Sequence, residues 1–139
     1  MEIAYITSLQ SISLAFNEFT GTLPTELSVM KYLLNLEVHY NMLTGTLSSQ
    51  LWAFNALQGF NVGGNLLSGT IGTDIGRMTD LKGLHLFENM YHGTLPTEIG
   101  NLGDLTYFRL FDNSLNGTIP TEVGRLTLLE EMLMNDNMF

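Results

Sequence analysis

Residues 93–100 read GTLPTEIG; the octet returns as GTIPTEVG at 117–124 and has already appeared as GTLPTELS at 21–28. The interval between copies is fixed. Asn17, Asn41, Asn65, Asn89, Asn113 and Asn137 stand 24 residues apart, and Gly21, Gly45, Gly69, Gly93 and Gly117 keep the same step, each followed by threonine. Leu9, Leu33, Leu57, Leu81, Leu105 and Leu129 form another column, and further apolar columns run from Ile12 to Met132 and from Leu14 to Met134. A constant period between about 20 and 50 residues is the signature of a solenoid, in which each unit buries its apolar face only against its neighbours.

Each unit reads L-x-x-L-x-L-x-x-N-x-h-x-G-T-[LI]-P-T-E-[LIV]-G, with h a large apolar residue such as Leu43, Tyr91 or Leu115. The L-x-L core is a short strand whose alternate side chains point inward. The asparagine amide can cap backbone groups where the chain bends, so a column of asparagines forms a ladder that satisfies buried polar atoms. The glycine allows a corner that a Cβ would obstruct. Pro96 and Pro120 preset a helical turn, Glu98 and Glu122 sit in its first residues, and Gly100 and Gly124 are placed to end it. The octet is therefore scaffold on the back of each coil. Two units deviate: Ser48 and Trp52 stand where others have proline and glycine, and Gly72 replaces another proline. Trp52 is expected on the outer side, as a groove cover or a partner contact.

This pattern resembles the plant-type leucine-rich-repeat family, over nearly the whole chain. The resemblance implies an α/β repeat solenoid, a right-handed superhelix with a concave parallel sheet and short 3-10, helical or irregular segments on the convex side. Residues 1–139 read as one array of five to six units. Glu2-Ile3 aligns with Glu26-Leu27 and the last residues break off before a glycine, so both terminal units are expected to be incomplete, without capping modules. A window cut from a longer array would leave both sheet edges open to edge-to-edge self-association.

Fourteen acidic against five basic residues give a net charge of −9, and the five cations are scattered. Phosphate backbones and anionic membranes require clustered lysine and arginine, so neither is an expected partner. The absence of cysteine excludes disulfide and thiolate chemistry. No apolar stretch is long enough to span a bilayer. The opening MEIAYITSLQ lacks the basic start and apolar run of a signal peptide.

In the family resembled, ligands sit on the concave face, on the outward residues of x-x-L-x-L-x-x. Six strands roughly 4.8 Å apart span about 24 Å, enough for an extended peptide or a small protein. The third unit supplies Gly59, Gly63 and Gly64 there, so only Asn61 projects. The expected site is a pocket over this bare strand walled by His85, Phe87, Tyr107, Arg109 and Phe111, types that dominate binding hot spots. Glu37, His39, Tyr40, Glu88 and Asp112 complete the candidate set. The column Glu88, Asp112, Asp136 has two readings, oxygen ligands for a hard cation such as calcium or a turn preference ahead of the ladder asparagine, and the second is favoured. Acidic outward residues outnumber Arg109, which favours a cationic or hydroxyl-rich partner.

No nucleophile-elbow, Walker or kinase motif occurs, and no cofactor or metal site is expected. His39 and His85 lie two repeats apart, too far to share a metal. The leading expectation is a non-catalytic protein- or peptide-recognition module, resembling the ectodomains of receptor-like kinases and receptor-like proteins and placed extracellularly or at the cell surface by its parent protein. One alternative is an enzyme-inhibitor module, since polygalacturonase-inhibiting proteins use the same repeat. Another is a structural or ice-interacting role through the threonine columns. Asn116 in the sequon NGT at 116–118 is a candidate glycosylation site on the turn side.

Overall fold

The computed structural model describes residues 5–139, and the alignment of Glu2-Ile3 lies outside them. The L-x-L cores form β1 (Ser11–Ser13), β3 (Asn35–Glu37), β5 (Gly59–Asn61), β7 (Gly83–His85), β9 (Tyr107–Arg109) and β11 (Glu131–Leu133). These pair in parallel in chain order, with each residue opposite the one 24 positions on: Leu36 against Phe60, Phe60 against Leu84, Leu84 against Phe108. The central residue of β1, β3, β5, β7 and β9 is buried. One apolar core runs along the stack from Ile12 to Leu126.

The asparagine column is the hinge between the two sides of each coil. Asn65 Nδ2 donates to the carbonyls of Val38 (3.1 Å) and Val62 (3.0 Å), and its Oδ1 accepts from the Leu43 amide (3.0 Å). Asn41, Asn89 and Asn113 repeat this pattern one coil at a time. One side chain thus ties three backbone groups of adjacent coils that would otherwise be unsatisfied.

The back of the coil is more ordered than expected. Besides 3-10 turns at Thr25–Val29, Leu51–Ala53, Thr73–Arg77, Thr97–Asn101 and Thr121–Arg125, it carries a second parallel sheet. Its strands are β2 (Thr20–Gly21), β4 (Met42–Thr46), β6 (Leu66–Gly69), β8 (Met90–Thr94) and β10 (Ser114–Asn116). The segment after each asparagine runs extended, and identical segments one coil away present matching donors and acceptors, so stacking alone creates the sheet. Gly21, Gly45, Gly69, Gly93 and Gly117 turn the corner with φ between 80° and 90°, a region costly for any residue with a Cβ.

Gly100 has a different job from the one expected. It lies inside the turn Thr97–Asn101, and Leu102 ends that turn. A Cβ at Gly100 would fall 2.6 Å from the Glu122 carbonyl oxygen, so the glycine lets successive turns approach. Trp52 holds the equivalent position two coils earlier and overturns the outward expectation: it is 1% exposed, packed edge-on against Phe60 with centroids 6.0 Å apart. Gly72 lies beside the indole, close enough that a Cβ there would make an ordinary contact with it at 3.8 Å. The two deviations from the repeat meet in space.

Candidate ligand-binding face

On the outward side of the six-stranded sheet, register aligns Asn35, Gly59, Gly83 and Tyr107 in one column and Glu37, Asn61, His85 and Arg109 in the next. Beyond the strand ends follow His39, Gly63, Phe87 and Phe111, then Tyr40, Gly64, Glu88 and Asp112, one per coil.

The glycines do not leave an open pocket. A Cβ at Gly63 would sit 2.4 Å from the Phe87 ring, and one at Gly64 would sit 2.4 Å from the Tyr40 ring. At Gly59 the clash would be with Asn35 Oδ1 at 2.6 Å. Neighbouring side chains have folded over the bare strand from both sides, and Phe87 is only 7% exposed as a result. The glycines act as a floor for rings. A cavity of about 260 Å³ lies elsewhere, lined by core residues including Ile12, Leu23, Leu36 and Leu43.

The rings join into a row. Phe16 stacks on Tyr40 (centroids 5.0 Å apart, planes at 29°), Tyr40 meets Phe87 at 6.0 Å, and Phe87 stacks on Phe111 at 4.8 Å and 8°. His39 sets its edge against Phe16 at 5.1 Å, and His85 meets Phe87 at 6.5 Å. Phe16, absent from the expected set, is the most open member at 73% exposure. Alignment with Tyr40 was the available signal for it.

The backbone explains the acidic column. Glu88, Asp112 and Asp136 have φ of 49°, 53° and 54°, and Phe16, Tyr40 and Gly64 share that left-handed turn. Aspartate tolerates this region better than most residues. Among the described residues no group of three acidic or histidine side chains is placed to hold a metal. Phe16 and Tyr40 are bulky there, at a cost of order 1–3 kcal/mol each, and strain of this kind is held where the surroundings over-determine it.

Beside the aromatic row lies a polar patch. Arg109 pairs with Glu131, and its guanidinium carbon lies 5.9 Å from the Tyr107 ring centre. Tyr107 donates its hydroxyl to Glu130 at 3.2 Å, and that carboxylate pushes the phenol pKa up. The cation expected to face a ligand is thus already matched by a residue of the next coil. Glu37 accepts from Ser13 Oγ at 3.2 Å, and Asn61 accepts from the Gly63 amide at 3.2 Å. Burial, then the charge of Arg109, lowers His85 to about 4, so its imidazole is neutral near pH 7. Glu88 and Asp112 are exposed at the margin. Asn116 lies on the other sheet, in β10.

This architecture defines a leucine-rich-repeat solenoid with parallel strands in two sheets. The chain carries leucine-rich repeats: the Leucine Rich Repeat family model matches residues 8–30 and 104–126. Its fold is that of plant receptor-kinase leucine-rich-repeat ectodomains. A TDR receptor structure is 27% identical, covering 99% of this chain and 23% of that one, with a TM-score of 0.90. The Arabidopsis receptor kinase HAESA, solved with the peptide hormone IDA and the co-receptor SERK1, is 26% identical over 97% of this chain and 23% of its own, also at 0.90. A plant ice-binding protein is 26% identical over 89% of this chain and 40% of its own, at 0.84. The chain spans about a quarter of the length of these receptor chains. No curated protein sequence matches it. No helix among the described residues is long and apolar enough to cross a membrane.

Proposed function

We propose that the chain is a non-catalytic recognition module that takes an extended peptide or a small protein along the concave face of its six-stranded sheet. The observation that carries this reading is the row Phe16–Tyr40–Phe87–Phe111, whose open end is held in a strained left-handed turn. Phe16 and Tyr40, the exposed rings that bear this cost, have no evident return in stability, and aromatic residues are the usual anchors of interfaces. Tyr107, Arg109 and the His39 and His85 rings border the row, with Asn61 and Glu37 between them. Because Arg109 is paired, the unmatched charge of this face is that of Glu37, Glu88 and Asp112, which suits a basic or hydroxyl-rich ligand. The likeness to peptide-hormone receptor structures supports the same reading. On it, residues 1–139 are one array within a longer cell-surface or secreted protein, and the outer strands are edges on which further coils or a second copy would stack.

The test is a binding screen of the chain against basic and neutral peptide arrays, followed by Tyr40→Ala/Phe111→Ala. Loss of two aromatic anchors at ~2 kcal/mol each should weaken genuine hits by about 700-fold if the two add, and by about 30-fold if only one counts. Hits that keep full affinity in a folded double variant would remove the aromatic row from the site.

A second reading is favoured by one specific observation. The outward face of the five-stranded sheet carries neither carboxylate nor lysine or arginine, in a chain of net charge −9. Together with the likeness to a plant ice-binding protein, this supports ice as a ligand.

A further inference from the structure

We infer that, on this second reading, the ice-contacting surface is the outward face of the five-stranded sheet together with the threonines Thr22, Thr46, Thr70, Thr94 and Thr118, which end its strands or lie one or two residues past them. Ice is uncharged and periodic. A surface that binds it must offer hydroxyls and apolar groups at a regular interval, and must not carry charges that orient water in competing ways.

The glycine corners supply the regularity. A Cβ at Gly45 would lie 2.8 Å from Cγ2 of Thr22, and the same holds at 2.8 Å for Gly69 with Thr46 and at 3.0 Å for Gly93 with Thr70 and Gly117 with Thr94. Each threonine methyl therefore rests on the bare Cα of the next coil. A β-branched side chain pinned in this way has one χ1 state available, and the state is the same in four consecutive coils. The hydroxyls then repeat once per coil along a line oblique to the strands, because the register sets Thr46 opposite Ser68 and Thr94 opposite Asn116. None of them has a hydrogen-bond partner in the protein among the described residues, so all are left to water.

The flanking columns extend the array. Thr44 and Ser68 donate weakly to the carbonyls of Gly21 and Gly45, each at 3.4 Å, which adds hydroxyls in two coils, followed by His92 and Asn116 at the equivalent positions. Met42, Leu66 and Met90 are exposed apolar residues beside them in the three middle coils, with Glu18 and Ser114 at the equivalent positions of the outer ones. Columns two residues apart along a strand are separated by ~6.7 Å. A peptide gains little on such a surface: its strands carry no carboxylate, lysine or arginine, and their backbone groups already pair with each other. The six-stranded sheet has the opposite character, since its outward residues change type from coil to coil.

Thermal hysteresis and ice-surface retention of labelled protein test the inference. The proteins are the wild type, Thr46→Ser/Thr70→Ser, Thr70→Lys, and Ser11→Lys as a matched charge on the other sheet, each with its melting temperature checked. The expected result is activity in the wild type, reduced by more than half in the double serine variant, further reduced by T70K and unchanged by S11K. The serine variant removes only the pinned methyls, so the test stands even if the lysine variant fails to fold. Hysteresis that survives both threonine changes, or that S11K abolishes, overturns the assigned surface while ice binding itself stands. A wild type with no hysteresis overturns the ice reading, and the surface assignment with it.

Discussion

The two sheets are built by one 24-residue period, yet they use it differently. On the five-stranded side the Gly-Thr corner obeys the repeat in all five copies, while the outward columns before it vary, as in Thr44, Ser68 and His92. On the six-stranded sheet only the inward residues obey it, and the outward ones run from Ser13 through Glu37, Asn61 and His85 to Arg109. Where a column performs a packing task it stays uniform, as with each threonine methyl seated on the next glycine. Where it faces solvent without such a task, its chemistry varies freely. The uniform face suits a periodic partner and the varied face a particular one.

The back breaks its own rule most visibly at Trp52, and this is where the largest effect is expected. Trp52→Gly restores the residue used at the equivalent positions Gly76, Gly100 and Gly124, so a reading of the repeat alone predicts stabilisation. Burial of the indole against Phe60 and over Gly72 predicts the reverse, a loss of about 3–5 kcal/mol. Urea unfolding of the two proteins decides between them, and an unchanged midpoint would mean that the neighbouring coils close the gap.

Most of the fold was legible because each column does one physical job. The asparagine ladder, the leucine strands and the left-handed glycines all follow from period and residue type, and the structure contains them. The second sheet was not legible, since its strands are two to five residues long and arise from stacking rather than from local pattern. Trp52 was misplaced because its place in the repeat does not reveal the packing against Phe60 that buries it. At the candidate site the outward positions could be read, but not the direction in which rings lean. Three glycines looked like an opening, and they became the floor under Tyr40, Phe87 and Asn35. Nor did Arg109 announce its partner, because Glu131 reaches it diagonally from the next coil.

A pair of glycine substitutions sharpens the contrast at intermediate size. Gly69→Ala on the back places a Cβ at φ 90°, 2.8 Å from the Thr46 methyl, where the backbone strain cannot relax. Gly63→Ala on the front has an ordinary φ but drives into the Phe87 ring, which can swing outward. Both should cost about 1–2 kcal/mol. They should differ in near-ultraviolet circular dichroism, where only the front variant disturbs the Phe87–Phe111 stack. Equal spectra would mean that the aromatic row is not held by the glycine floor.

The smallest effect separates the sheets by pH. His85, lowered to about 4 chiefly by burial and then by Arg109, stays neutral when folded while an unfolded histidine protonates near 6.5. Between those values the unfolded state binds more protons, so this contribution is complete above about pH 6.5 and fades as pH falls toward 4. The ring is half-buried, and after discounting for solvent the change is about 1 kcal/mol, or ~2–4 °C in melting temperature. The measurement is the difference in melting temperature between pH 7 and pH 5.5 for wild type and for His85→Gln. The wild type should lose more on acidification than the variant, because carboxylates titrate alike in both. His92→Gln on the five-stranded sheet, where the imidazole is exposed, should behave as the wild type does. Identical losses in all three proteins would place the imidazole of His85 in water, and with it the row of rings that His85 borders.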